Sequence, residues 1–179
     1  MALNFGDTMK YPLILMALSA ISNPLFATSL HFSPEIKMGP YFGAGISGAG
    51  AQVGVADKLG VDAIYLSYSH TSAEFLNYDK DRLKTYRIGT QYQLIERPKM
   101  ALQLEVGVVE YNGSRRIIGS TDRRKRSGNG LSTAASWVVF INPNVGFRTG
   151  VDINYVNKSN TYLAGSLSGI FSTGVVFQF

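Results

Sequence analysis

Not one cysteine occurs in the sequence, which excludes disulfides, thiolate metal centres and cysteine nucleophiles. Histidine is nearly as scarce: there are two, His31 and His70. His31 has no partner at metal-binding spacing, so neither a metal nor a cofactor is expected. No run of about 18 consecutive apolar residues exists, which excludes a helical membrane span. A phosphate-cradling loop, a carboxylate pair placed for glycoside hydrolysis and a nucleotide fingerprint are all missing. The glycine-rich stretch Gly43 to Gly54 lacks a strand-then-helix context and reads as strand glycines.

What the sequence does have is glycine, at 19 residues, and aromatics, at 12% of the chain. The mean hydropathy of +0.04 decides nothing by itself, because barrel strands hide their apolarity by alternating it with polar lumen residues. The amino-terminal end reads as a targeting segment. Lys10 precedes the apolar run Tyr11 to Ile21, and Asn23-Pro24-Leu25-Phe26-Ala27 supplies a helix break and a small residue before a cut after Ala27, which together make a secretory signal peptide. Met9 is a second candidate start, since residues 1–8 add nothing to such a signal. The expected organisation is a signal peptide over residues 1–27 and one domain over residues 28–179.

Beyond the signal, segments of about ten residues with period-two alternation recur between turn signals, and eight can be counted. Lys84 to Leu94 sets Tyr86, Ile88, Tyr92 and Leu94 against Thr85, Arg87, Gly89, Gln91 and Gln93. Ala101 to Tyr111 sets Leu102, Leu104, Val106 and Val108 against Gln103, Glu105 and Gly107. Val145 to Val156 sets Phe147, Val151, Ile153 and Tyr155 against Arg148, Gly150, Asp152 and Asn154. The last segment sets Leu163, Leu167, Phe171, Val175, Phe177 and Phe179 against Ser166, Ser168, Ser172, Gly174 and Gln178. Four weaker segments are Gly39 to Ser47, Gly50 to Ala56, Val61 to His70 and Leu131 to Ile141.

Turns at residues 57–60, 96–99 and 142–144 are tight, whereas Thr71 to Arg82 and Asn112 to Gly130 are long; Ser47 to Ala49 and Lys158 to Thr161 would be the remaining connections. A spanning sheet must close, because backbone polar groups in hydrocarbon must all be paired. Short turns belong to the periplasmic rim and long loops to the outside. The expected fold is therefore all-β, an eight-stranded antiparallel transmembrane β-barrel of the bacterial outer membrane with both termini periplasmic. A soluble sandwich ending on an amphipathic edge strand is the rival, and it leaves the terminal Phe179 exposed to water. Tyr68, Tyr86, Tyr111, Tyr155 and Tyr162 at the outer ends, and Phe177 and Phe179 at the inner end, are expected to form interfacial girdles.

The C-terminal pattern polar-x-Gly-x-x-apolar-x-aromatic, carried by Ser172, Gly174, Phe177 and Phe179, resembles the signal by which bacterial outer-membrane barrels are handed to their assembly machinery. Eight strands at this length resemble the small OmpA and OmpX group of barrels. That resemblance implies an interior filled by side chains. The candidates are Arg87, Glu105, Arg148, Asp152, Gln91, Gln93 and Gln103, with Arg87 and Arg148 expected to pair with Glu105 and Asp152 because isolated buried charge is costly. A plug is expected rather than a proton or ion path. The implied partners are outer-membrane lipid, lipopolysaccharide and the assembly machinery, and the barrel is expected to be a monomer.

Two functional features remain. Ser114 to Arg126 holds Arg115, Arg116, Arg123, Arg124, Lys125 and Arg126 against one acid, Asp122, so its net charge of +5 equals that of the whole chain. Guanidinium forks suit phosphate and sulfate, so this segment is the candidate contact for lipopolysaccharide phosphates or an anionic glycan. A solvated loop without a specific ligand is the alternative. Nucleic acid is not expected, for want of interleaved aromatics on which bases could stack. Separately, His70 and Ser72 share one face of a strand with Ile64, Leu66 and Tyr68. His-x-Ser on an outer wall resembles the motif of the lipid A deacylase family, eight-stranded barrels with outward Ser, His and Glu. The resemblance implies Ser72 as nucleophile, His70 as base and Glu74, or Asp79, as the orienting acid. The family's Asn is Ala73 here, and 107 residues follow Ser72.

Overall fold

Alternation gives each strand two unlike faces, and a closed sheet sends one inward and one outward. The computed structural model describes residues 29–41, 46–58, 60–75, 79–116 and 122–179; the expected signal peptide lies outside them. Eight strands follow in order: β1 (Ser29–Met38), β2 (Ile46–Lys58), β3 (Val61–Phe75), β4 (Asp79–Glu96), β5 (Lys99–Arg116), β6 (Arg123–Phe140), β7 (Val145–Val156) and β8 (Leu167–Gln178). Each pairs antiparallel with the next and β1 pairs with β8, so the sheet closes without an edge. At the closing rim, Leu30 N–H donates to the Phe179 carbonyl at 2.7 Å and Phe179 N–H to that of Leu30 at 3.0 Å.

One parity of each strand is buried. The other carries exposed apolar side chains, among them Leu66, Ile88, Val106, Leu131, Phe147, Ile153 and Phe171. A continuous apolar belt of this kind is stable against acyl chains and not against water. Tyr68 and Tyr86, with ring centroids 5.3 Å apart, border it at one end, and Phe177, stacked between Phe32 and Phe179, at the other. The rim that holds both described ends also holds the tight turns. Gly60 takes a positive φ of 78° in the β2–β3 turn, which glycine adopts without strain. The Asn142 side chain accepts from the N–H groups of Asn144 and Val145 at 2.9 and 2.8 Å.

The first two expected strands are corrected. β1 lies before Gly39, and β2 runs unbroken through residues 47–49, where a hairpin was expected; of the segment Gly39 to Ser47, residues 42–45 lie outside the described ones. β1 alternates cleanly, with Leu30, Phe32, Ile36 and Met38 exposed and His31, Ser33, Glu35 and Lys37 buried. Pro34 conceals it, because a proline removes a ladder donor and argues against a central strand. The barrel seats Pro34 at a break in the ladder: His31 and Phe32 pair with Gln178 and Phe177, and pairing resumes only at Glu35 with Gly174.

The expected long loops are also largely strand. β3 and β4 pair as far as Phe75 with Asp79, and β5 and β6 as far as Arg116 with Arg123. These extensions rise beyond the apolar belt, and toward their tips both faces are at least partly exposed. The β7–β8 connection is longer than Lys158 to Thr161. It carries a short 3-10 helix (Lys158–Asn160) and turns Thr161 and Leu163 inward. Leu163, expected to face lipid on the last strand, instead packs inside with Leu83, Val109, Tyr111, Val156 and Ile170.

The belt yields a direct test. Val106→Arg, which puts a cation among the outward side chains between the two girdles, should lower folding stability in lipid vesicles by roughly 2–4 kcal/mol, read by urea titration.

Candidate functional site

The lumen is packed in layers. Near the rim of the termini, Ala101, Val138, Phe140 and Val176 form one apolar cluster and Ala56, Ala63 and Tyr65 another. Above them His31 stacks on Tyr65 with centroids 4.8 Å apart and sits 3.2 Å from Gln52. Gln103 donates to Gln91 at 2.9 Å and accepts from Gln52 at 3.4 Å. Gln93 departs from the expectation: it stands immediately before a register shift in the β4–β5 ladder, is exposed, and lines the mouth of the barrel with Ser29, Asp62 and Lys99.

The middle layer is ionic. Arg87, Glu105, Arg148 and Asp152 come together there, joined by Glu35 and Lys37 of β1, and the six form a closed ring of alternating charge. Glu35 Oε1 meets Lys37 Nζ at 2.8 Å, and the same Nζ meets Asp152 Oδ2 at 2.6 Å. That oxygen meets Arg87 Nη1 at 2.9 Å, and Arg87 Nε meets Glu105 Oε2 at 2.8 Å. Glu105 Oε1 meets Arg148 Nη2 at 3.3 Å, and Arg148 Nη1 returns to Glu35 Oε2 at 2.5 Å. Three carboxylates balance three cations. Of the expected pairs, Arg148 with Asp152 is not direct: Glu35 and Lys37 stand between them. Hydroxyls and an amide complete the layer. Ser67 donates to Glu105 at 2.8 Å and Gln52 to the same carboxylate at 2.5 Å, while Arg148 donates to Ser136 at 2.7 Å and Arg87 to Ser132 at 3.2 Å.

Glycines make the room. Gly107 faces Arg87 and Gly89 faces Glu105 across the β4–β5 ladder, and Gly174 faces Glu35 on one side and Arg148 on the other. A Cβ at Gly174 would stand 3.1 Å from that of Glu35, and one at Gly107 2.9 Å from Arg87 Cγ. Gly174, expected as part of an assembly signal with Phe177 and Phe179, therefore also admits the ring. The two phenylalanines lie on the outward face of the same strand end.

A second polar cluster closes the mouth opposite the termini, around Asp81. Tyr41 and Tyr111 both donate to its carboxylate. Arg115 grips it bidentately, Nη2 at 2.7 Å from Oδ2 and Nη1 at 3.2 Å from Oδ1. Tyr162 donates its backbone N–H to the Tyr111 hydroxyl at 3.0 Å, and its ring lies 4.8 Å from the Arg115 guanidinium and 4.6 Å from that of Arg126. Arg126 also donates to the Thr161 carbonyl at 2.8 Å. Burial and the bond to Asp81 push the Tyr41 phenol well above its usual range, which keeps it a donor. Tyr111 and Tyr162 are thus not girdle residues. Tyr111 shares parity with Gln103 and Glu105, and that parity outweighs its position near a strand end.

The six basic residues divide accordingly. They sit on a paired hairpin and not in a loop, with Arg115 opposite Arg124 and Arg116 opposite Arg123. Arg115 and Arg126 are committed to the cap; Arg115 also reaches Asp79 at 3.5 Å. Arg123, Arg124 and Lys125 are exposed and make no ion pair among the described residues. Reading Thr71 to Arg82 as a loop also missed Lys80 and Arg82, which share the outward parity of β4 with Lys84 and Tyr86. A strand continued past Lys84 would have found them.

His70 and Ser72 do lie on the outer wall, alternating with the buried Ser69 and Thr71. The structure does not assemble them with an acid. His70 Nε2 is shielded and has no hydrogen-bond partner, Glu74 is ion-paired with Lys80, and Asp79 is turned toward Arg115.

Glu105→Gln, which leaves Arg87 and Arg148 each short of a counter-charge, should cost roughly 3–5 kcal/mol of unfolding free energy in detergent. The intact protein should give no stable conductance in planar bilayers, because buried side chains occupy the ring level from wall to wall. A steady open level from the wild type would contradict the filled lumen.

The fold is shared with small outer-membrane barrels. The N-terminal β-barrel domain of Pseudomonas aeruginosa OprF superposes with a TM-score of 0.55 at 15% identity, covering 84% of this chain and 97% of that one. Neisserial surface protein A superposes at 0.51 and 17%, covering 85% and 96%. Ail, the attachment invasion locus protein of Yersinia pestis, superposes at 0.57 and 11%, also covering 85% and 96%, and a structure of it in complex with the heparin analogue sucrose octasulfate superposes at 0.54 and 12%, covering the same shares. No curated protein matches the sequence. Residues 58–175, from the end of β2 to within three residues of the end of β8, match the family described as a protein of unknown function, DUF481, and the chain belongs to that family.

Proposed function

We propose that this protein is a monomeric barrel of the bacterial outer membrane, exported by residues 1–27 and inserted with both termini periplasmic. In this reading the β5–β6 hairpin holds the phosphate or sulfate groups of lipopolysaccharide or of an anionic glycan at the cell surface. The observation that carries it is the state of the basic residues. Arg123, Arg124 and Lys125 project from a hairpin that Arg115 and Arg126 fasten to the cap, and they have no counter-ions among the described residues.

Arg123, Arg124 and Lys125 are consecutive cations with no ion pair among the described residues, and like charges so close repel. A polyanion relieves that repulsion, and guanidinium forks give it bidentate hydrogen bonds. The filled lumen supports the same assignment, since it leaves the outer surface as the place where a ligand can be met. Ail shares the architecture and has been crystallised with a polysulfated sugar, which makes sucrose octasulfate a suitable probe. Export and handover to the assembly machinery rest on the signal at residues 1–27 and on Gly174, Phe177 and Phe179.

The test replaces Arg123, Arg124 and Lys125 by Ser together. Binding of lipopolysaccharide or sucrose octasulfate should weaken by about tenfold or more, and the wild type's advantage should shrink as salt rises. Equal binding by the two proteins at low salt would refute the hairpin as the contact.

A further inference from the structure

A second, lateral site is built where β2, β3 and β4 leave the apolar belt. Outward side chains there run in cross-strand rows: Val53 with Leu66 and Ile88, Ala51 with Tyr68 and Tyr86, and then Ala49 with His70 and Lys84. Directly opposite side chains on one face stand about 5 Å apart at Cβ, so each row is a single contact surface. The first two rows make a groove on the outer wall, lined by Ala51, Val53, Leu66, Tyr68 and Tyr86. Ala51 and Ala49 give it a low side beside the tall Tyr68 and His70.

The rows above the tyrosines are basic. Lys84 is paired with His70, Arg82 with Ser72, and Lys80 with Glu74. Lys80 is neutralised by Glu74, whereas Lys84 and Arg82 join no ion pair among the described residues. Glu110, opposite Lys84 on β5, makes no bridge to it. His70 adds a ring nitrogen screened from solvent and without a hydrogen-bond partner. An apolar groove running up a membrane-facing wall to cations and an unused imidazole nitrogen matches a molecule with acyl chains below and phosphate above.

We propose that this wall binds one phosphorylated, multiply acylated lipid of the outer leaflet. One acyl chain lies against Ala51, Val53 and Leu66 beside the Tyr68 ring, and the phosphate is held by Lys84 and Arg82 with His70 and Ser72 beside it. On this assignment His70 and Ser72 bind a headgroup and do no chemistry. The site rests on the membrane orientation proposed above but not on the hairpin.

The test uses native mass spectrometry of the protein purified from membranes in detergent, with three probes: bisphosphorylated lipid A, dephosphorylated lipid A and sucrose octasulfate. The Arg82→Ser, Lys84→Ser double variant should hold bisphosphorylated lipid A about tenfold more weakly than the wild type, and dephosphorylated lipid A should bind the wild type no better than that. Ala51→Trp, which fills the groove with a side chain at home near a membrane interface, should weaken lipid A binding similarly and leave sucrose octasulfate binding unchanged. The hairpin triple variant should retain lipid A. Full lipid A retention by both the basic-pair and groove variants would overturn the site, as would loss in the hairpin variant alone. Sucrose octasulfate binding insensitive to the hairpin substitutions would instead fall on the hairpin assignment and leave this one standing.

Discussion

The ring of six alternating charges is the constraint on which the rest of this barrel depends. Eight strands leave a lumen just wide enough for side chains, and with little water inside, each inward ion must find its counter-ions in protein. Glu35 and Lys37 come from β1, Arg87 from β4, Glu105 from β5, and Arg148 and Asp152 from β7, so the ring ties strands that are not neighbours in the sheet. Its contribution to net stability is not the point, since a well-packed apolar layer can match a buried ion network. Its effect is on register. A slip of one residue would turn Arg87 or Glu105 out into acyl chains and bring Ile88 or Val106 in. The ring therefore penalises every wrong closure of the sheet far more than it rewards the right one. It also fills the middle, which sends function to the outer surface.

What the sequence reveals follows from where the two faces of a strand differ in surroundings. Within the membrane one face meets lipid and the other the packed core, so Lys84 to Leu94 and Ala101 to Tyr111 declare themselves by alternation. Above it the outward face is polar too, and toward the tips both faces are at least partly exposed, so the pattern fades. For that reason the extensions at Phe75, Asp79, Arg116 and Arg123 read as loops although they are hydrogen-bonded strand. β1 was hidden by a single Pro34 whose harmlessness depends on a ladder break that only the closed barrel creates. Parity identified Arg87, Glu105, Arg148 and Asp152 as inward ions but missed Glu35 and Lys37, because the strand that carries them was not recognised.

The basic hairpin shows how similar residues come to differ in role. Arg115 and Arg126 bracket the Tyr162 ring, and Arg115 also grips Asp81 with help from two tyrosine hydroxyls. An arginine with its donors engaged in this way, partly desolvated, has little left for a ligand. Its effect is to hold the hairpin upright over the mouth, which Leu163 seals from beneath. Arg123, Arg124 and Lys125, on the same hairpin, keep their donors. Composition counts these residues together, and only their side-chain partners separate those that build the cap from those that project beside it.

The outer wall at His70 and Ser72 turns on what each kind of chemistry demands of its neighbours. A hydroxyl nucleophile needs a base within hydrogen-bond reach and an acid to orient that base. Here the imidazole nitrogen is unpartnered and the adjacent carboxylate of Glu74 is spent on Lys80. A phosphate demands less: donors and positive charge at the height where headgroups lie, and an apolar surface below for the chains attached to it. Lys84 and Arg82 beside His70 and Ser72, above Tyr68, Tyr86 and the small Ala51, meet that demand without moving a side chain into a triad. The same residues that resemble a catalytic motif in sequence are thus, in register, better placed to hold a lipid than to cleave one.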